Sequence, residues 1–240
     1  MYGRNLNSPE EKTRYINVLF TKIAPRYDLM NRILSFGLDR WWRRLAVRKA
    51  RFKSGSRILD LGIGTGDMAL EVLRQVTKSN IIGLDNCAEL VRFGRHKSSL
   101  QSYRKRILWL WGEGNFLPFS DRSFDGVVAA FAIRNMPDLP RVFAEMYRVV
   151  RTGGKIVLLD MVEPKSYFFE KLFKFYFKYI IPRLGKCFGS HPEAYSYLYA
   201  SIENFYSSDG LKHALQTLGC SDIISKDLMF HTVTICIGTK

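Results

Sequence analysis

Residues 57 to 85 constrain the fold more than any other part of the chain. Arg57-Ile58-Leu59-Asp60-Leu61 is an apolar run of strand length that passes straight into Gly62-Ile63-Gly64-Thr65-Gly66-Asp67, three glycines each separated by one residue. Glycine adopts left-handed backbone without penalty and carries no Cβ, so such a loop lets the main chain approach a ligand closely. A helical pattern follows over 67–77, and Ile81-Ile82-Gly83-Leu84 then ends on a second acid, Asp85. Strand, loop, helix and strand within about thirty residues make one βαβ unit. That unit requires parallel strands whose faces are covered.

The pattern repeats along the chain. Short apolar runs predict strands at 57–61, 81–85, 107–111, 124–130 and 155–160, alternating with helices at 67–77, 87–98 and 138–150. Gly153-Gly154, after Arg148 and Arg151, reads as a helix stop. A helix at 208–218 precedes strands near 221–227 and 231–237, close enough to pair as an antiparallel ribbon. The expected fold class is α/β and Rossmann-like, a mostly parallel seven-stranded sheet with a terminal antiparallel strand. Residues 9 to 53 read as helices, with clear periodicity in Glu10 to Thr21 and Trp41 to Ala50. The predicted organisation is an N-terminal helical extension (1–53) and a main domain (54–240), interrupted by an aromatic-rich helical insertion at 166–206 able to form a lid.

A chain of 240 residues with 47% hydrophobic content can bury a sizeable core. Its first twenty residues lack the apolar run of a secretory signal, so export is not expected. Lys171, Lys174 and Lys178 interrupt the greasiest stretch, which excludes a spanning helix there and predicts a soluble or peripheral protein. Cys87, Cys187, Cys220 and Cys236 have no metal-ligand spacing, so reduced thiols and no zinc are expected. The net charge of +15 favours polyanions, either nucleic acid or an anionic membrane surface.

The loop itself discriminates between cofactors. A dinucleotide fingerprint would place its third glycine at position 67, which is Asp67. Asp60 and Asp67 would also repel a diphosphate at the helix N-terminus. S-adenosylmethionine carries an ammonium, a sulfonium and no phosphate, and it suits this acidic loop. Asp60, Gly62, Gly64, Thr65 and Gly66 are therefore candidate cofactor contacts. Asp85 at the end of its strand can accept from both ribose hydroxyls. In Trp111-Gly112-Glu113-Gly114, Glu113 can accept from the adenine amino group while Gly114 clears space.

Further segments give the chain a resemblance over nearly its whole length. They are Tyr27-Asp28-Leu29-Met30-Asn31-Arg32-Ile33-Leu34-Ser35-Phe36-Gly37-Leu38 with Trp41 and Trp42, Phe131-Ala132-Ile133-Arg134-Asn135-Met136-Pro137-Asp138, Tyr147 to Gly154, and Tyr195-Ser196-Tyr197-Leu198 with Ser201-Ile202. Together they resemble the ubiquinone/menaquinone biosynthesis C-methyltransferases, in which Thr65, Asp85, Glu113 and Gly114 match cofactor-contact positions. The chain departs from that family's usual residues at Asp39 (His), Ala130 (Ser), Val162 (Ser) and Thr152 (Pro). The resemblance implies a class I S-adenosylmethionine-dependent methyltransferase that methylates a ring carbon of a reduced polyprenyl quinone.

A quinol carbon becomes nucleophilic when the adjacent hydroxyl loses its proton, and a phenolic pKa near about 10 means that loss needs help. Arg134 is the candidate to stabilise the developing phenolate and Asn135 to orient the quinol oxygen or a water. Arginine stays protonated, so any base role must run through water or a carboxylate. Tyr27, Asp28, Asn31, Tyr195 and Tyr197 are candidate substrate contacts. Residues 166 to 186 interleave Phe and Tyr with lysines, a pattern that suits a prenyl tail or a bilayer interface. The expected partners are a polyprenyl quinol and the membrane surface, with no nucleic acid; the expected location is cytoplasmic, peripheral on the inner membrane face, and a homodimer is compatible. An RNA methyltransferase and a noncatalytic scaffold are the alternatives; no Asn-Pro-Pro-Tyr motif supports the former.

Overall fold

The computed structural model describes residues 8–164, 166–181, 183 and 192–240; Cys187 and the end of the aromatic stretch beyond 183 lie outside them. Seven strands form one sheet: β1 (Arg57–Leu61), β2 (Asn80–Asp85), β3 (Ile107–Trp111), β4 (Phe124–Ala130), β5 (Val150–Met161), β6 (Ser221–Leu228) and β7 (Val233–Thr239). Their order is β3-β2-β1-β4-β5-β7-β6. The pairs among β1 to β5 are parallel. β7 runs antiparallel to both β5 and β6. The reversed strand is thus the last in the chain but lies inside the sheet, and β6 forms the edge. Connections leave β1 toward β2 on one side and reach β4 on the other, so a crevice opens at the carboxyl ends of β1 and β4.

Helices α1 (Pro9–Ile23), α2 (Tyr27–Leu34) and α3 (Leu38–Ala50) precede the sheet, α4 (Asp67–Gln75), α5 (Ala88–His96) and α6 (Leu139–Val149) cross over it, and α7 (Tyr167–Phe175), α8 (Pro192–Glu203) and α9 (Ser208–Thr217) follow β5. Strand alternation sends β1 side chains to opposite faces. Ile58 packs in a core with Leu45, Ala69 and Val72 from α3 and α4, while Leu59 and Leu61 join Val142, Met146 and Leu215 from α6 and α9. Both faces are therefore apolar, as a covered parallel sheet demands.

A third apolar layer joins the N-terminal helices to the insertion. Leu19, Ile23 and Met30 from α1 and α2 pack with Phe173, Phe177, Ala194 and Ile202, against Met161 at the carboxyl end of β5. α1 begins sharply because Ser8 caps the Glu11 amide at 3.2 Å, with Pro9, Glu10 and Glu11 in its first turn. A charged chain of contacts holds α2 and α3 to the glycine loop. Asp39 receives Arg32 at 2.7 Å and Arg43 at 2.6 Å, and Lys97 bridges Asp28 and Asp67.

Several sequence expectations shift at their boundaries. The helix expected to run to 150 ends at Val149, and Gly153-Gly154 lies within β5 rather than stopping a helix. Between Phe124↔Val150 and Gly126↔Lys155 the strand makes an excursion in which Gly153 takes φ 77°. There Gly153 donates to the Lys240 carbonyl at 2.7 Å and Gly154 accepts from the Lys240 amide at 3.0 Å, so the glycines anchor the end of the chain. The helix expected over 87–98 ends at His96, followed by a 3₁₀ run at Ser98–Arg106, and after α7 the helix widens to a π turn at Tyr176–Ile180.

Candidate active site

A cleft of about 680 Å³, open mouth included, occupies the crevice between β1 and β4. Its floor is the glycine loop. Gly62, Gly64 and Gly66 all take positive φ, at 72°, 54° and 86°, but for different reasons. A Cβ on Gly62 would lie 2.3 Å from the Ala132 Cβ, and one on Gly66 would strike Leu100 and Trp109. Those two glycines serve packing. A Cβ on Gly64 would meet only the edge of Tyr27, at 3.9 Å, so of the three Gly64 is the one with open space beside its backbone, and it lines the cleft with Gly62.

Asp85 fixes that loop. Its Oδ2 accepts from the Gly64 amide at 2.8 Å and its Oδ1 from the Cys87 amide at 2.9 Å. Burial pushes its carboxyl pKa up, and the amides of Cys87, Gly64 and Asn86 pull it back. That leaves the carboxylate acceptor capacity for a donor in the cleft. Across from it stand Gly112, Glu113 and Gly114; a Cβ on Gly114 would crowd the Met136 sulfur at 3.0 Å. Asp85 and Glu113 are the charged side chains of the lining, and among the described residues that line the cleft there is no lysine or arginine. In a chain of net charge +15 this selects a cationic ligand over a phosphate-bearing one.

The other predicted contacts fall into three groups. Gly62, Gly64, Asp85, Glu113, Gly114, Tyr27 and Asn135 line the cleft together. Thr65, Asp28 and Gly66 do not. The Thr65 hydroxyl donates to Asp28 Oδ1, which ties α2 onto the back of the loop, and Asn31 bonds the Tyr27 hydroxyl instead of facing the cleft. Asp60 is fully buried beneath the loop on the α3–α4 face, and neither carboxylate oxygen has a hydrogen-bond partner among the described residues. Desolvation pushes its pKa from 3.8 up to about 7, with the Ala69 amide and Arg43 opposing and Asp85 and Asp67 reinforcing.

Arg134 also stands outside the lining. It is buried behind the cleft in an ion pair with Asp160, the acid near the end of β5, which also accepts from the Met161 amide at 2.8 Å. Burial raises the Asp160 pKa, and Arg134 is the main opposing influence. Next to the pair, Tyr197 donates its hydroxyl to Asn135 Oδ1 at 3.0 Å, and burial raises the Tyr197 pKa. Arg134, Asp160, Asn135 and Tyr197 thus form one polar cluster where β4 and β5 end. The Tyr195 side chain lies outside the described residues.

Two walls were not foreseen. Thr13, Ile16 and Phe20 place α1 over the cleft, and Lys12 from the same helix donates to the Met136 carbonyl at 2.9 Å. Periodicity revealed α1 as amphipathic but carried no signal of what its face covers. Phe131, at φ 58°, is the second wall; a bulky residue held left-handed at the end of a central strand stores strain beside the ligand space.

Residues 8–240 match the ubiE/COQ5 methyltransferase family. The chain belongs to that family. It is 40% identical, over 96% of its length and 98% of the relative's, to a protein of Geotalea daltonii named ubiquinone/menaquinone biosynthesis C-methyltransferase UbiE. It is 34% identical, over 96% of its length and 94% of the relative's, to one of Bacteroides fragilis named demethylmenaquinone methyltransferase. A solved S-adenosylmethionine-dependent methyltransferase fold from Methanococcus maripaludis superposes with a TM-score of 0.64 at 17% identity, covering 92% of this chain and 93% of that one. The ubiE/COQ5 member described here is accordingly an enzyme with the class I methyltransferase fold and S-adenosylmethionine as its cofactor. The acid-only cleft, the open Gly64 and the remaining acceptor capacity of Asp85 fit that group.

The Asp60 environment gives a pH test. The folded pKa near 7 exceeds the ordinary 3.8, so the native state holds a proton that the unfolded chain releases. Stability from this group is full below about pH 4 and is lost as pH rises to about 7, by on the order of a few kcal/mol. Urea unfolding of protein without added cofactor should show stability falling between pH 5 and pH 8, and Asp60→Asn should flatten that fall. An unchanged slope in the variant would show that Asp60 is not held protonated by the fold.

Proposed function

We propose that the cleft serves transfer of the S-adenosylmethionine methyl group to a ring carbon of a reduced polyprenyl quinone, with 2-demethylmenaquinol as the acceptor and a ubiquinol precursor as its nearest variant. The observation that carries this reading is the Arg134–Asp160–Asn135–Tyr197 cluster set against an acid-lined donor cleft. Relatives named for C-methylation in quinone biosynthesis match nearly end to end, which supports it.

S-adenosylmethionine, when bound, supplies a methyl group already activated on a sulfonium. The protein's tasks are then alignment, exclusion of water and help in ionising the acceptor hydroxyl. Asn135 lines the cleft; its Oδ1 is committed to Tyr197 and one amide N–H reaches the Phe131 carbonyl at 3.4 Å, which leaves the other N–H to donate to the acceptor oxygen. Arg134 lies directly behind, its Nε buried without a hydrogen-bond partner among the described residues. Its charge favours an oxyanion on Asn135 over the neutral hydroxyl, and Asp160 holds the guanidinium in place. Asp160 is also the nearby carboxylate through which a water-mediated proton path can run. Tyr27 closes the cleft from α2, and the third apolar layer from α1, α7 and α8 keeps water out.

In this reading residues 1–53 are a helical extension, 54–240 the transferase domain, and 166–206 its substrate-side lid. A membrane-held prenyl tail on the acceptor supports a location in the cytoplasm at the inner face of the membrane. Among the described residues no helix is long and apolar enough to cross it.

Arg134→Ala should lower turnover on the order of 100-fold while donor affinity stays near wild type, since Arg134 does not line the donor cleft. Equal turnover from a folded variant removes Arg134 from the chemistry. In cells lacking the protein, mass analysis of extracted quinones should show demethylmenaquinone accumulating. A normal quinone profile, with loss of an RNA methylation instead, would overturn the assignment.

A further inference from the structure

A group of exposed large apolar side chains gathers around α7. α7 and the π turn after it turn outward Tyr167, Phe168, Leu172, Phe175, Tyr179 and Ile180, with Phe168 at 70% exposure. Two separate elements extend the same face. The turn joining β6 to β7 exposes Met229 and, at 59%, Phe230, whose ring stacks on Phe169 at 4.6 Å. The turn between α2 and α3 exposes Phe36 at 68%, with its ring 6.1 Å from Tyr176.

The β6–β7 turn is built at a cost. Met229, Phe230 and His231 take φ of 48°, 56° and 64°, three successive left-handed residues none of which is glycine. Left-handed backbone is unfavourable for each L-residue. The conformation is held by His231 Nδ1 against Asp227 at 2.9 Å and by the Thr232 hydroxyl donating to the Met229 carbonyl at 2.7 Å. The result is a strained turn that presents Met and Phe to solvent. Strain kept in order to expose apolar groups points to a surface with a partner.

Position and charge identify the partner. Thr232 accepts from the Val162 amide at 3.0 Å and Thr234 pairs with Asp160 in the ladder, so this face lies at the carboxyl edge that carries the Arg134–Asp160 pair. Residues 166 to 183 contain four cationic residues and one acid. Glu170 and the neighbouring Glu163 are both contacted by Lys174, while Lys171 lies over the Tyr167 ring at 4.3 Å and Arg183 is exposed. Aromatics interleaved with cations, on a helix that does not span, match the interfacial zone of an anionic bilayer.

We propose that α7, the Met229–Phe230 turn and Phe36 form one docking face for an anionic lipid bilayer, the strained turn acting as its wedge beside the acceptor end of the cleft. The proposal rests on the prenylated acceptor only for its purpose. The face itself is tested without any quinol. The full chain is floated with vesicles of phosphatidylcholine alone and of phosphatidylcholine mixed equally with phosphatidylglycerol. Wild type should bind the mixed vesicles, less in high salt and less to the neutral ones. Phe168→Ser with Phe230→Ser should lower partitioning on the order of 100-fold, about tenfold for each ring removed, with turnover on a tail-less quinol unchanged. Lys171→Glu, which leaves the aromatics in place, should weaken binding to the mixed vesicles alone. Equal partitioning of wild type and the double variant overturns the proposal. So does a solution dimer that the same substitutions dissolve, which would make the face a contact between two copies. Vesicle binding by a protein that methylates no quinol would support the face and remove the proposed acceptor.

Discussion

The hydrogen bond from the Gly64 amide to Asp85 is the contact on which the donor half of the site depends. It joins the end of β2 to the loop after β1, so the bare backbone at Gly64 is held in place by a buried carboxylate. The same carboxylate keeps acceptor capacity for the ligand. Three amides offset part of the cost of burying its charge, and among the described residues no cation in the lining competes for it. A phosphate-binding loop of similar outline needs the opposite arrangement, with free amides and no acid.

The acceptor half depends on chain segments outside the βαβ frame. α1 reaches over the cleft and fastens to the Met136 carbonyl through Lys12, and α2 is tied to the loop by Asp28 with Thr65 and Lys97. α8 brings Tyr197 to Asn135. Sequence positions 12, 28, 135 and 197 therefore converge on one edge of the sheet, where the ends of β4 and β5 present Arg134 and Asp160. A buried ion pair of this kind does little for stability by itself. Under the proposed function, its placement behind Asn135 would set a fixed positive charge near an acceptor oxygen without occupying the cleft.

Much of this was legible in the residues. The acid, glycine spacing and second acid of 57–85 encode the loop, its charge and the cofactor class, because each residue type there has a local physical reason. Other positions carried the right residue for a different reason. Gly66 has no room for a Cβ beside Leu100 and Trp109, and Thr65 and Asp28 bond each other. Local pattern does not distinguish a glycine that clears space for a ligand from one that clears space for a tryptophan. Gly153-Gly154 looked like a helix stop because the chain end that pairs with it lies more than eighty residues away in sequence. The role of Asp160 required knowing that β4 and β5 are neighbours.

The central claim is that one cleft joins a cationic methyl donor to an ionisable quinol. The most direct measurement supplies purified protein with methyl-labelled S-adenosylmethionine and demethylmenaquinone, in oxidised or chemically reduced form, and locates the label by mass analysis. The account predicts label on the ring carbon of the reduced acceptor and none on the oxidised one, because only the quinol has a hydroxyl to ionise. Equal labelling of both forms, or label on oxygen rather than carbon, would contradict it.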